Sequence, residues 1–424
     1  MKFRLLPVLL AAAILASVVK AQTPPPSPVA RQKLSETLAR NLAERSGAAV
    51  SAEERGRAYA KVLEGQRYLL RTNAAGAGAA AVARQARAAF QAALQVDPTI
   101  AEAYTALAEI TLRIPPSDID ESVALASLAV KVDPNNFGAR RLLARLYTYK
   151  SNLNSGRLEP AMAALAIEQW REVTRLDPRN AEGWAFLAEL YAPTDLDSHI
   201  DALRKWVAAA APIDTGFYRQ VMGSGADLSP ERASLKLGKA LVRAGQAAEA
   251  VEVLSLLVAD EPDNEDAIGE LRDALTTADV RSASSAVEAL RQAVYANPDS
   301  ADLVTLFAHT QAKAGRVDEG VKVLQKAVSR AKTANPDTAP ELQVSLGDLY
   351  VSAERYMEGA AAYEAALRLR GLDRPRVVQV SERGFALNVY EKLINCYRKA
   401  NRPAEARAAI QRARTLLGQD AFAG

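Results

Sequence analysis

Apolar residues recur along this chain at helical spacing, in runs broken by short polar turns. From about residue 51 onward the runs come in pairs. Many pairs end in an Asp-Pro, Asn-Pro or similar stop: Pro98, Pro134, Pro178, Pro212, Pro262 and Pro298, spaced 36, 44, 34, 50 and 36 residues apart. Proline lacks the backbone donor a helix interior needs and disfavours helix in the residue before it, so each stop predicts a turn between helices. A unit of 34 residues, lengthened in places by loop insertions, accounts for the spacing.

Within the units the same side-chain types return. The first helix opens with a large residue and closes on a small and an aromatic one: Trp184, Leu187, Ala188 and Tyr191; Tyr104, Leu107 and Ala108; Leu143, Ala144 and Tyr147; Leu346, Gly347 and Tyr350; Tyr390, Leu393 and Tyr397. The second helix carries an alanine, a large residue four later and a small or apolar one three beyond: Ala86/Phe90/Ala93, Ala250/Leu254/Leu257, Ala286/Leu290/Ala293 and Ala406/Ile410/Ala413. Small residues such as Gly238, Gly347 and Ala188 are expected where two helices cross closely. The large ones fill the space between neighbours, and Phe90, Tyr104, Tyr147, Trp184 and Tyr191 are read as core.

This pattern resembles the tetratricopeptide repeat family, W-x2-L-G-x2-Y…A-x3-F…P, over roughly residues 51–418. The resemblance implies an all-α, right-handed α-solenoid of about nine antiparallel helix pairs. Their approximate bounds are 51–98, 101–134, 137–178, 181–212, 231–264, 265–298, 301–336, 340–373 and 387–420. No hairpin of this kind buries its apolar face alone, so neighbours must stack.

Several segments interrupt the period. Residues 32–50 hold an amphipathic stretch, with Leu34, Leu38 and Leu42, expected to cap the first unit. Ser51 and Glu54 have the spacing of a capping box, and Ser229-Pro230 reads as a helix start. A polar turn is expected around Tyr149–Pro160. Residues 213–230 read as a linker with one short helix near Phe217–Met222, dividing an N-terminal half (51–212) from a C-terminal half (231–420). Gly371–Gly384 breaks the period before the last unit.

Lys2 and Arg4 precede an uncharged apolar run, Leu5–Val19, and Val19-Lys20-Ala21 has the small-residue character of a cleavage site. Residues 1–21 are expected to be a cleaved signal peptide, and residues 22–31 a proline-rich linker. An uncleaved membrane anchor is the competing reading. The expected address is export, periplasmic or secreted, with no transmembrane segment after cleavage.

Composition narrows the function. The chain has 424 residues, 49% hydrophobic and 24% charged, enough for a large core. Three of its 53 basic residues and no acid lie within residues 1–21, so the remainder holds 50 of each sign and offers no global field for nucleic acid. The only histidines are His199 and His309, in different units, and the only cysteine is Cys396. No disulfide, metal centre, cofactor or catalytic residue is expected, and the histidines are read as surface or groove side chains.

What remains is a surface. In the family, first helices line a concave groove where partners bind. Here that implies Arg141, Arg145 and Tyr149 in one unit, Glu182 and Glu189 in the next, then Arg232, Lys236, Lys239 and Arg243, then Asp266, Glu270 and Asp273. The sign of charge alternates from unit to unit. The expected function is a non-enzymatic scaffold holding a peptide or protein in this groove, within a cell-envelope complex. The alternative is an accessory protein of polysaccharide export or surface assembly, favoured if Tyr149 and Tyr218 line the groove.

Overall fold

The computed structural model describes residues 33–45, 49–72, 78–115, 117–209, 215–418 and 421. The signal peptide and proline-rich linker expected over 1–31 lie outside the described residues, as does Pro212. Twenty helices and no strand are found among the described residues. The chain divides into two compact units, Met1–Leu143 and Ala144–Gly424.

The first unit holds α1 (Leu34–Glu44), the pairs α2 (Ala52–Thr72) with α3 (Ala79–Val96) and α4 (Ala101–Arg113) with α5 (Ile119–Val132), and the start of α6 (Phe137–Lys150). Each of the two pairs closes on itself, and α3 packs on α4. The N-terminal amphipathic helix is present. At its C-terminal end Arg45 donates to the Val96 carbonyl at the end of α3, at 2.7 Å, and α1 also packs on α5 of the second pair. There the Ser35 backbone N–H and hydroxyl each donate to the buried Glu121 carboxylate at 2.7 Å.

The second unit continues with α7 (Pro160–Leu176), α8 (Ala181–Tyr191), α9 (Leu196–Val207), α10 (Gly216–Met222), α11 (Pro230–Arg243), α12 (Ala247–Asp260), α13 (Glu265–Thr277), α14 (Val280–Ala296), α15 (Ala301–Lys313), α16 (Val317–Ala334), α17 (Ala339–Ser352), α18 (Tyr356–Leu369), α19 (Val380–Lys399) and α20 (Pro403–Leu417). Five pairs close as hairpins: α8/α9, α11/α12, α15/α16, α17/α18 and α19/α20. The pair expected over 265–298 departs, because α14 lies against α12 and α15 rather than closing on α13. The first helices α11, α13, α15 and α17 sit side by side in succession.

Helix ends follow from local chemistry. The aspartates of the Asp-Pro stops turn back on their own backbone: Asp97 accepts from the Thr99 N–H at 2.9 Å, Asp133 from Asn135 at 2.9 Å, and Asp177 from Arg179 at 3.2 Å. These are turn carboxylates, and the buried Asp97 also accepts from Arg55 of α2 at 3.3 Å. Asn180, Asn264, Ser229 and Ser300 accept the N–H three residues on, capping α8, α13, α11 and α15. The Ser51/Glu54 capping box forms in both directions, at 2.9 and 3.2 Å. Inside several hairpins the turn needs one left-handed residue, which is Gly245, Gly315, Glu354 or Asn401.

The crossings hold the small residues the pattern requires. A Cβ built on Gly238 would sit 2.3 Å from Leu254, and one on Gly347 would sit 2.5 Å from the Tyr363 ring. Gly65 faces the Phe90 ring in the same way, at 2.8 Å. The chain can therefore bury Phe90, Leu254 and Tyr363 almost completely against a neighbouring backbone. Cys396 is buried in the last core cluster, where burial pushes its thiol up to about 11, so its role is packing.

Candidate partner-binding surfaces

The alternating charges of the second unit meet each other. Arg145 on α6 pairs with Glu182 on α8 at 2.7 Å, and Lys236 on α11 with Glu189 on α8 at 2.9 Å. Lys239 on α11 reaches Asp266 and Glu270 on α13 at 3.7 and 3.8 Å. The series continues with Arg272 to Asp302 at 3.1 Å and Lys392 to Asp348 at 2.7 Å. Each is a rung between one first helix and another. Neighbouring helices of opposite sign are stacked side by side, so their charges neutralise in place.

Burial sharpens the distinction. Glu182 is only 2% exposed, so it is an internal partner of Arg145 and not a groove carboxylate. Tyr218 on α10 is also buried, its hydroxyl donating to Glu189 at 3.2 Å, so it does not face a ligand. Burial and the Glu189 charge hold its phenol well above the usual range. Tyr149, Arg232, Arg243 and Asp273 are exposed, and Arg141 is half-buried.

The histidines divide: His199 departs from the surface or groove reading, and His309 lines a cleft. His199 is buried on α9, with Nδ1 2.8 Å from the Ala188 carbonyl, the small position of α8. His309 is half-buried on α15. Burial pushes both imidazoles below their usual value, against the pull of Ala188 and Glu189 on His199 and of Asp348 on His309.

The aromatic positions also divide. Phe90 and Tyr104 are buried as expected, but Trp184, Tyr191 and Tyr147 are only half-buried. Phe186 takes the core place beside Trp184. It stacks on Trp170 at 5.0 Å and meets Phe217 and Tyr218 of α10 at 5.5 and 5.2 Å.

A different surface opens in the first unit. On α2, Tyr59, Leu63 and Leu70 are 43%, 60% and 78% exposed, while Ala58, Val62 and Gly65 face inward. The exposed three fall on one face at helical spacing. Beside Leu70 lies a cleft of about 480 Å³ lined by Leu69, Leu70, Ala83, Ile110 and Ile114, with Gln66, Glu109 and Arg113 at its edge. Its walls come from α2, α3 and α4. The sequence reading did not single out this surface, because it placed the binding groove on charged positions of later first helices and named no side chain of α2 for it. The signal was available: α2 carries more large apolar residues than one buried face accommodates.

Stacked helix pairs with small residues at their crossings define a helical-repeat protein. A tetratricopeptide repeat family model matches residues 344–421, the last two helix pairs. No curated protein matches the chain. Among solved structures, the chain is similar to YrrB, described as a TPR protein with an unusual peptide-binding site, at 15% identity, over 51% of this chain and 95% of that one, with a TM-score of 0.31. It is also similar to a tetratricopeptide repeat protein from Parabacteroides merdae, at 13% identity, over 67% and 99%, TM-score 0.31. A MamA structure gives 20% identity, 44% and 98% coverage, and a TM-score of 0.26.

Proposed function

We propose that this protein is an exported, non-enzymatic scaffold that holds a protein or peptide segment against the exposed apolar face of α2 and its neighbouring cleft. The observation that carries the reading is the exposure of Tyr59, Leu63 and Leu70 in line beside the cleft. Large apolar side chains aligned on one exposed face beside an apolar cleft mark an interaction surface more often than singly scattered ones do. An amphipathic helix fits such a face through side chains at positions one turn apart. In the second unit, Tyr149, Arg232, Arg243 and Asp273 remain exposed and are a separate set of candidate partner contacts. No helix among the described residues is long and apolar enough to cross a membrane. Export rests on the Lys2–Ala21 leader pattern, and membership of an envelope complex follows from that address.

The test is crosslinking from photoreactive side chains placed at Leu63 and Leu70 in the producing cell, with fractionation and N-terminal sequencing of the recovered chain. The expected outcome is a protein adduct outside the cytoplasm, on a chain beginning near Gln22. With the photoreactive side chain at Leu63, Leu70→Glu should abolish the adduct while leaving helix content unchanged, since a residue this exposed contributes within about 0.5 kcal/mol to stability. Equal adduct formation by Leu70→Glu would refute the surface, and an intact Met1 in the cytoplasm would refute the address.

A further inference from the structure

We infer that the cleft between α7 and α9, floored by α8, is a binding site for a neutral carbohydrate. The cleft measures about 550 Å³, within the range of small-ligand sites. It lies wholly in the second unit and shares no residue with the face of α2.

Its chemistry comes from three helices. From α8, Trp184 and Tyr191 present half-buried rings beside Leu187, which with Ala202 of α9 forms an apolar floor. The Trp184 indole N–H donates to the Pro178 carbonyl at 2.9 Å, which fixes the ring in place. The Arg171 guanidinium donates to the Tyr191 hydroxyl at 2.8 Å and lies 5.8 Å from that ring's centroid, fixing the second aromatic. Both rings are therefore held before a ligand arrives, and little side-chain ordering would oppose binding.

The walls select the ligand class. Arg171 and Arg175 of α7 stand on one side, and Asp197, Ser198 and Asp201 of α9 on the other. A phosphate or polyanion would meet the two carboxylates, and a cation would meet the two guanidiniums. Asp197 and Asp201 are one helical turn apart, where like charges repel. Both are exposed, and neither makes an ion pair among the described residues. A polyhydroxylated ring suits such walls, because each hydroxyl donates to carboxylate and accepts from guanidinium. Its C–H faces carry the partial positive charge that the negative face of an aromatic ring attracts. A purely hydrocarbon ligand would leave both carboxylates facing it without a donor.

The spectroscopy is favourable. Of the three tryptophans, Trp170 and Trp206 are fully buried and Trp184 alone is partly exposed. Acrylamide quenching of the full chain's tryptophan fluorescence therefore reports on this cleft. Cellotetraose, chitotetraose and maltotetraose, added separately at millimolar concentration, are the probes. At least one should protect Trp184 from quenching. The Asp197→Asn/Asp201→Asn double variant should weaken that protection about tenfold, the loss of one well-made hydrogen-bonding pair of contacts, without changing the unfolding midpoint. Trp184→Phe, read by isothermal calorimetry, should also weaken binding, since phenylalanine keeps a ring but loses the donor that orients it. Protection by none of the three sugars would overturn the site. So would protection that survives the double aspartate substitution. Crosslinking from α2 is unaffected by either result, so this site and the scaffold surface stand or fall separately.

Discussion

Gly238→Ala adds one methyl group to α11 at the point where α12 crosses it. The new Cβ would lie 2.3 Å from Leu254 Cδ2 and 2.5 Å from its Cγ. Nonbonded carbons rest at about 3.5–4 Å, so Leu254 must move by more than an ångström. Leu254 is fully buried, and rotation would drive it into other core side chains. Overpacking of this kind costs about 1–3 kcal/mol. Removing a glycine from a helix interior returns about 0.5–1 kcal/mol. The net expectation is a loss of about 0–2.5 kcal/mol, centred near 1 kcal/mol. Two companions make the reasoning testable. Gly269, on α13, has nothing within 4 Å of its built Cβ, so Gly269→Ala should stabilise by the propensity gain alone. Leu254→Ala should cost about 2–5 kcal/mol by itself, and in that background Gly238→Ala should become stabilising. The assay is urea unfolding followed by far-ultraviolet circular dichroism, with the slope checked for constancy so that midpoints translate into stability. The double-mutant coupling should be about 2 kcal/mol. If Gly238→Ala raises the midpoint of the parent, or costs the same after Leu254→Ala, the crossing is not as close as described.

Two further outcomes follow from buried polar groups. Arg145→Ala should destabilise by about 1–3 kcal/mol in the same assay, because it removes the guanidinium that pairs with the buried Glu182 carboxylate at 2.7 Å, whereas Arg145→Met with Glu182→Leu should recover most of the loss. The depressed imidazoles of His199 and His309 mean that the unfolded chain binds more protons. Stability from this source is full above about pH 6.5 and drains as pH falls through their lowered values. The urea midpoint should therefore fall on acidification from neutrality. His199→Gln with His309→Gln should flatten that fall, and an unchanged slope would show that the histidines do not carry it.

The architecture was readable because its rules are local. A proline is excluded from a helix interior and so marks a helix stop or a first turn, and a glycine or alanine at a crossing leaves space that one large partner fills, so the proline stops and the Gly238/Leu254 type of pair make the helix spacing legible. Side-chain direction was harder where a helix is apolar all round. On α8, Trp184 and Phe186 are equally plausible core residues by type, and the choice was made by α10, a helix outside the repeat, which covers Phe186. His199 was misread for a related reason, since its partner is the backbone carbonyl of Ala188 and no side chain announces it. The alternating charges were legible as a pattern but not as a function. Side-by-side first helices that could line a groove of alternating sign are the same helices that can pair off across it, and only the distances choose between the two.

The rungs between first helices have a mechanical consequence. Most join side chains that are partly or largely exposed, and an exposed ion pair contributes about 0–1 kcal/mol. The hairpins beneath are held by buried carbon. The first-helix side of the second unit is thus its compliant side: thermal energy suffices to part a rung such as Lys239–Asp266, while the crossing at Gly238 stays shut. Added salt loosens these rungs further, since it screens exposed charges and leaves apolar contacts in place. Stiffness in this unit is therefore set by ionic strength on one face and by packing on the other.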